Sequence, residues 1–590
     1  MRGLHLLTLL SAVIPRTCLA CSTPTVDIWG HNPGAIMRHE NFSDTAAPQD
    51  TKSNMEKIPG LHLTELGGPG QMTRVSFRGQ SSRHTLFKID GIPLRDASDS
   101  IDASSLFSNT LEIANVTPGS GGIFEGSGST GGTVNMRTPF PKEHLHKTTL
   151  MGDSHNTGYV HTMHGTHNDH TSSVIHVDGF NTKGIPQRGP QRMYGERAHA
   201  QKGSVAGALT HQSGPQQLSF TLRHMAAHSK YDTNGPTGPF SPKPQGTYSQ
   251  GLTLLGAKIS RQELKTHHQL QTFLTQNKVK SAGTSSSELR NYGAYYQADH
   301  HLTHKTLITG LAGIDFDTLQ KDTFKQENIN KSHAGFLCQH HITPALSVHG
   351  GLRYNHHQKF GQITTYSMGT EWAEKTKGIA LGMRTGYLNP SLYDLHVNDQ
   401  YIRANPHLRP EESQTFDVVL WKKFDTHTAL KVKPFWTRVK KMIQSTSVSG
   451  GQFQNQNIPG SSHVSGVETT LTLTPSKRWC HEASYGYTNF NLKSPRTNTE
   501  FPKHKITLTS AFNPNETLSL KSEIAFIGQR KSQGHTLHAY TKANLSAEYR
   551  LNDQAKLFGR IDNLFDARYT ETYYFQTPGQ SFYVGTQIYY

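Results

Sequence analysis

The chain has 590 residues, of which 34% are apolar, 17% charged and 9% aromatic, with 53 Gly, 22 Tyr, 36 His and a formal net charge of +16. That length exceeds one ordinary globular core, and after residue 20 no apolar run is long enough to cross a bilayer as a helix. Lys and Arg are spread along the chain without a basic cluster or recognition helix, so charge gives no argument for nucleic acid and no such partner is expected.

Residues 1–20 read as a signal peptide. Arg2 gives a positive start, Leu4 to Ile14 is mainly apolar but too short to span, and Cys18-Leu19-Ala20 offers a small-residue cleavage site. Ordinary cleavage is preferred over a lipoprotein anchor at Cys21, because Cys18 stands where that signal wants Leu. Residues 21–50 are polar and aperiodic, which predicts a flexible segment. Within it, Val26 and Ile28 alternate with Thr25 and Asp27 ahead of Trp29 and Gly30. An extended hexamer of this kind can add as an edge strand to a partner's sheet.

From Arg74 to Arg137, short apolar alternations are broken by Gly, Pro and Asp, the pattern of small strands joined by tight turns. Phe87 and Ile89 lead into Asp90-Gly91, a step that suits a turn with positive φ. Gly126-Ser-Gly128-Ser-Thr-Gly131 satisfies the G-x-G-x-x-G dinucleotide fingerprint. That fingerprint requires a helix to follow. Here Gly132-Thr-Val-Asn follows and Pro139 ends the run, so the glycines read as close-packed turns.

Beyond about Lys142 the pattern becomes strands and loops. Ala543, Leu545, Ala547 and Tyr549 share one face, as do Ala555, Leu557, Gly559 and Ile561, with polar residues between them. Both ribbons have the length of a tilted strand that crosses a bilayer with one wet face. The last ten residues put Phe582, Val584, Ile588 and Tyr590 on one face.

Arg78-Gly79, Ile89-Asp90-Gly91, Pro118-Gly119 and Gly131-Gly132-Thr-Val-Asn135 occur in an order and at spacings that resemble the plug of TonB-dependent outer-membrane receptors. Asn389-Pro390-Ser391, Asn405-Pro406, Ser465-Gly466-Val467-Glu468 and Arg560-Ile-Asp562-Asn563-Leu564-Phe565 resemble signatures of that family's barrel. The resemblance implies a transmembrane β-barrel of about 22 antiparallel strands, with an N-terminal α+β plug domain inside the lumen. It assigns 51–141 to the plug and 142–590 to the barrel. Ile58-Pro-Gly60 resembles the family's next plug element, and the short, polar segment before it suggests a trimmed start. Thr25, Val26, Asp27, Ile28, Trp29 and Gly30 then resemble the TonB box, and the implied partners are TonB with ExbB and ExbD. A monomer in outer-membrane lipid, importing a small-molecule substrate without a cofactor, is what the family likeness implies.

Gly70 to Gly91 is similar, without a gap, to the matching stretch of the family's cobalamin transporters. That likeness implies corrinoid contacts at Met72, Arg74, Ser81, Asp99 and Ser100, where a soft apolar residue joins hydrogen-bonding groups at plug apices. The alternatives are a ferric-siderophore or haem receptor, or a non-coupled porin or adhesin on the same barrel. Cobalamin transporters order their outer loops with calcium, which needs several carboxylates. The matching loops here, 179–196 and 231–250, hold Glu196 and Asp232 as their only acids, so no calcium is expected there.

The histidines invite a metal reading, which is set aside. Adjacent pairs such as His267-His268 and His356-His357 point to opposite faces of a strand. His144 and His146 share a face, yet two ligands fall short of a closed site. His396 lies where haem receptors often carry a functional His. Cys338 and Cys480 give neither a disulfide framework nor a zinc spacing. No G-x-S-x-G or H-E-x-x-H motif appears, and no enzyme is expected.

Overall fold

The computed structural model describes residues 51–186, 197–232, 245–281, 286–322, 324–398, 402–491 and 500–590. The expected signal peptide, flexible segment and TonB box lie outside the described residues, as do parts of the two loops expected to lack calcium.

Twenty-two antiparallel strands run from Leu145–Asp153 to Ser581–Tyr589 and close into a barrel. Closure is made by the last strand on the first, with Tyr583 opposite Asp153 and Tyr589 opposite Lys147. Alternation sets which face is which. Leu150, Ile175, Phe220 and Leu222 stand exposed on the outside, while their neighbours Thr149, His176 and Arg223 are fully buried inside. An apolar exterior and a polar interior are what lipid outside and a filled lumen require. The expected ribbons form as Tyr540–Asn552 and Ala555–Asp562, and Phe582, Val584, Ile588 and Tyr590 all face outward.

Turns at one end are short, such as 168–170 and 214–215, whereas connections at the other reach 389–410, 441–460 and 563–580. Short turns mark the periplasmic end of such barrels and long loops the outer end.

The plug fills the lumen. Helix Thr51–Met55 precedes a two-stranded sheet, Leu61–Glu65 with Thr73–Phe77. A four-stranded sheet has the order Ile92–Leu94, Thr85–Ile89, Gly132–Arg137, Glu112–Pro118. Asp90 (φ +53) and Gly91 (φ +82) form the tight turn between the first two of these, as their sequence predicts. The glycine motif 126–131 leads into strand Gly132–Arg137 and not into a helix. Phe77, Phe87, Ile89, Ile113 and Val134 form a core continuous with Met225, Leu252, Leu254 and Phe273 of the wall. Plug and barrel therefore bury apolar surface against each other, and neither is a separate body.

Candidate functional site

Three plug turns carry the residues expected to touch substrate. The first is closed by the Leu66 amide donating to the Met72 carbonyl at 3.0 Å. Its Gly70 has φ +81, and a Cβ there would lie 2.8 Å from Ala200 and 2.9 Å from the Phe180 ring. This turn is therefore pressed against the outer ends of strands Thr171–Thr182 and Ala200–Ser213, and only glycine fits. Met72 is half-buried there and Arg74 exposed.

The second turn, Ser81–His84, meets the outer loop that joins Lys377–Leu388 to Glu411–Lys423. Ser81 is exposed, with its Oγ 2.8 Å from His84 Nδ1. Arg83 Nη2 donates to Asp394 Oδ2 at 2.5 Å, and His84 Nε2 lies 2.9 Å from Glu411 Oε2. Asp394 belongs to the short helix Leu392–His396, which a Ser391–Asp394 capping box starts.

The third turn folds on itself. Asp96 accepts from the Ser98 amide at 2.8 Å, from the Ser100 amide at 3.1 Å and from the Ser100 hydroxyl at 3.2 Å. Asp99 has φ +58 and sits 3.4 Å from Arg95, which also reaches Asp317 at 3.3 Å. Asp99 and Ser100 are thus engaged in shaping the turn. Burial pushes the Asp99 carboxyl above its usual range, against the pull of Arg95. The second and third turns meet the same outer helix, since Arg83 pairs with Asp394 and the Ala97 carbonyl accepts from the Tyr393 amide at 3.3 Å. The first lies against a different part of the wall, beside Phe180 and Ala200, so among the described residues the five candidates are divided between two places.

Arg78 and Glu468 stand in separate sequence motifs, and no local pattern pairs them. Arg78 is fully buried, and its Nε and Nη2 donate to Glu468 at 2.8 and 3.1 Å. Its Nη1 donates to Asp417 at 2.9 Å, and the guanidinium lies 3.7 Å from the Phe435 ring centre. Asp417 is shared with Arg384, which also donates to the Pro118 carbonyl at 2.9 Å. Burial opposes the charge of Arg78, but Glu468 and Asp417 outweigh it and hold the group more firmly protonated than usual. A bidentate, desolvated pair of this kind is strong and geometrically specific.

A second tie holds the plug's first helix. Lys52 Nζ lies 2.6 Å from Glu571, and Lys505 Nζ donates to the carbonyls of Glu56 and Leu61 at 2.5 and 2.8 Å. Between the plug sheet and strands Thr266–Ser281 to Leu346–His357 runs a crevice of about 380 Å³. Lys88, Arg95, Asp315, Lys331, His333 and Arg353 line it. Lys88 and Glu125 form an ion pair across its plug side.

Among the described residues, no group of three or more His, Cys, Asp or Glu side chains converges on a metal position. His356 is exposed and His357 buried, as opposite faces require. His396 is half-buried at the end of its helix, 3.7 Å from Glu327. Burial lowers its pKa.

A barrel closed around a bound plug is matched by what the sequence shares with known proteins. The family described as TonB dependent receptor-like, beta-barrel matches residues 145–564, and the TonB-dependent Receptor Plug Domain matches residues 35–133. The chain belongs to the TonB-dependent receptors. It is therefore an outer-membrane protein of TonB-dependent transport, as the resemblance implied. It is 22% identical over 564 residues to the vitamin B12 transporter BtuB of Vibrio vulnificus, covering 90% of this chain and 87% of that one. To the BtuB of Photobacterium profundum it is 22% identical over 554 residues, with 90% and 88% covered. The FrpB iron transporter of Neisseria meningitidis superposes with a TM-score of 0.80 at 13% identity, over 95% of this chain and 100% of the other. The ferric enterobactin receptor PfeA of Pseudomonas aeruginosa gives 0.77 at 16%, over 95% and 98%. At these identities the structural likeness speaks for the receptor fold alone.

Proposed function

We propose that this receptor imports a corrinoid, cobalamin or a close relative, through energy-coupled displacement of its plug. The observation that carries the substrate reading is the match, over 90% of this chain, to relatives named as vitamin B12 transporters. The resemblance of Gly70 to Gly91 to the plug of that group supports it. Met72, Arg74 and Ser81 are the proposed plug contacts, with Asp99 and Ser100 setting the shape of the third turn. Thr25 to Gly30 is the proposed TonB box, engaged by TonB with ExbB and ExbD, and the working unit is a monomer in outer-membrane lipid.

The coupling has a physical requirement. The outer membrane holds no ATP, so work reaches the plug as a pull on its N-terminal segment. A pull acts first on the Lys52–Glu571 and Lys505 contacts, then on the Arg78–Glu468 pair. Two measurements test this reading. Titration of the purified receptor with cyanocobalamin, haemin and ferric enterobactin gives saturable, tight binding of cyanocobalamin alone. Tight binding of haemin or ferric enterobactin instead overturns the corrinoid assignment. Ile28→Pro blocks strand addition, so uptake is lost while cell-surface binding stays. Undiminished uptake by that variant removes the coupling role of residues 25–30, and passage in de-energised cells favours the passive barrel.

A further inference from the structure

We propose that His146 and His164 chelate a divalent first-row transition-metal cation at the periplasmic rim, on the outer surface of the barrel. His146 lies on strand Leu145–Asp153 and His164 on strand Thr157–His167, directly opposite each other in the ladder. The sequence pointed to His144 beside His146, but the partner that the fold supplies comes from the next strand. The two Nδ1 atoms are 2.9 Å apart and the ring centres 4.0 Å apart.

That separation suits a chelate. Two nitrogens each about 2.0–2.1 Å from one ion, at a right angle, lie about 2.9 Å from each other. Without an ion, the two Nδ1 atoms stand at hydrogen-bond distance, one protonated and one accepting, so the two nitrogens already face the same gap. An ion that replaces the shared proton needs little movement, because the ladder fixes both Cα positions. Tyr590 steadies His146 from the other side. Its ring stacks at 5.7 Å, its hydroxyl is 2.9 Å from Thr148 Oγ1, and its amide donates to the His146 carbonyl at 3.1 Å.

The donor set defines the ligand. Imidazole nitrogen suits Cu²⁺, Ni²⁺ and Zn²⁺ and not Mg²⁺ or Ca²⁺, and Cu²⁺ binds tightest of the first row. Water completes the coordination, since His164 is exposed. The site lies outside the lumen and is independent of the transported solute.

The test is Cu²⁺ titration of the full-length detergent-solubilised receptor at pH 7.5, read by electron paramagnetic resonance. Wild type, H146Q, H164Q and the double variant are compared. A chelate loses its tightest equivalent when either ligand is removed, so each single variant weakens that class at least tenfold and the double variant loses no more. Unchanged tight binding in the double variant means binding by other histidines only and overturns the proposal. Losses that add overturn it too, because independent imidazoles behave that way. Retained heat-modifiable gel mobility shows that the variants keep the closed barrel. If one loses it, Cu²⁺-soaked wild-type crystals decide, by an anomalous peak between the two Nδ1 atoms or only elsewhere.

Discussion

Replacing Arg78 by Met tests how the plug is seated. The change removes both hydrogen bonds to Glu468 and the one to Asp417. Asp417 keeps Arg384, but the Glu468 side chain, 3% exposed, is left as a buried charge. Breaking a buried pair from one side costs about 3–5 kcal/mol, which is about two to four decades in an opening equilibrium. Hydrogen exchange reads that equilibrium at plug amides such as Arg78, bonded to Gly60 O at 2.7 Å, and Gly119, bonded to Gly131 O at 2.8 Å. Their protection falls by that factor while amides of the strands Gln216–Asp232 and Gln245–Gln262 stay protected. The R78M/E468M double variant recovers most of the loss, since an apolar pair leaves no unpaired charge. Unchanged exchange in R78M, or a double variant as damaged as the sum of the singles, refutes the reasoning.

Gly79→Ala drives a Cβ into the Phe490 ring at φ +73, and the plug loses about 1–2 kcal/mol or more in the same exchange assay. Adding Phe490→Ala relieves the clash but not the backbone strain, so recovery is partial. Lys505→Met removes two charged hydrogen bonds to the carbonyls of Glu56 and Leu61, and exchange across 51–65 rises by about 1.5–3 kcal/mol per bond lost. Phe220→Arg sets a charge on the lipid face and lowers barrel stability by up to about 2–4 kcal/mol in denaturant titration from lipid vesicles.

Much of this architecture is legible in the sequence for a local reason. A period of two says which residues share a face, and Asp90-Gly91 says where a hairpin turns. Those signals sufficed for the strands Ala555–Asp562 and Ser581–Tyr589 and for the plug hairpin. They do not say how far around the wall a plug residue points. Arg78 meets Glu468, 390 positions away, and His84 meets Glu411, 327 away. That azimuth is set by 22-strand closure and by a core shared between plug and wall, which no local pattern encodes. The substrate turns suffer the same limit. Asp99 and Ser100 have the chemistry of ligand contacts, and the fold engages both in the turn around Asp96.

Seating of the plug inside the closed barrel is most directly tested by cross-linking Ser120 to Ser413, whose hydroxyl oxygens are 2.8 Å apart. The S120C/S413C receptor, oxidised in intact outer membranes, gives the linked 120–413 peptide pair by mass spectrometry in nearly all molecules, and reductant releases it. A fully reduced pair under oxidising conditions, with the barrel still heat-modifiable, contradicts a plug lodged at this place in the lumen.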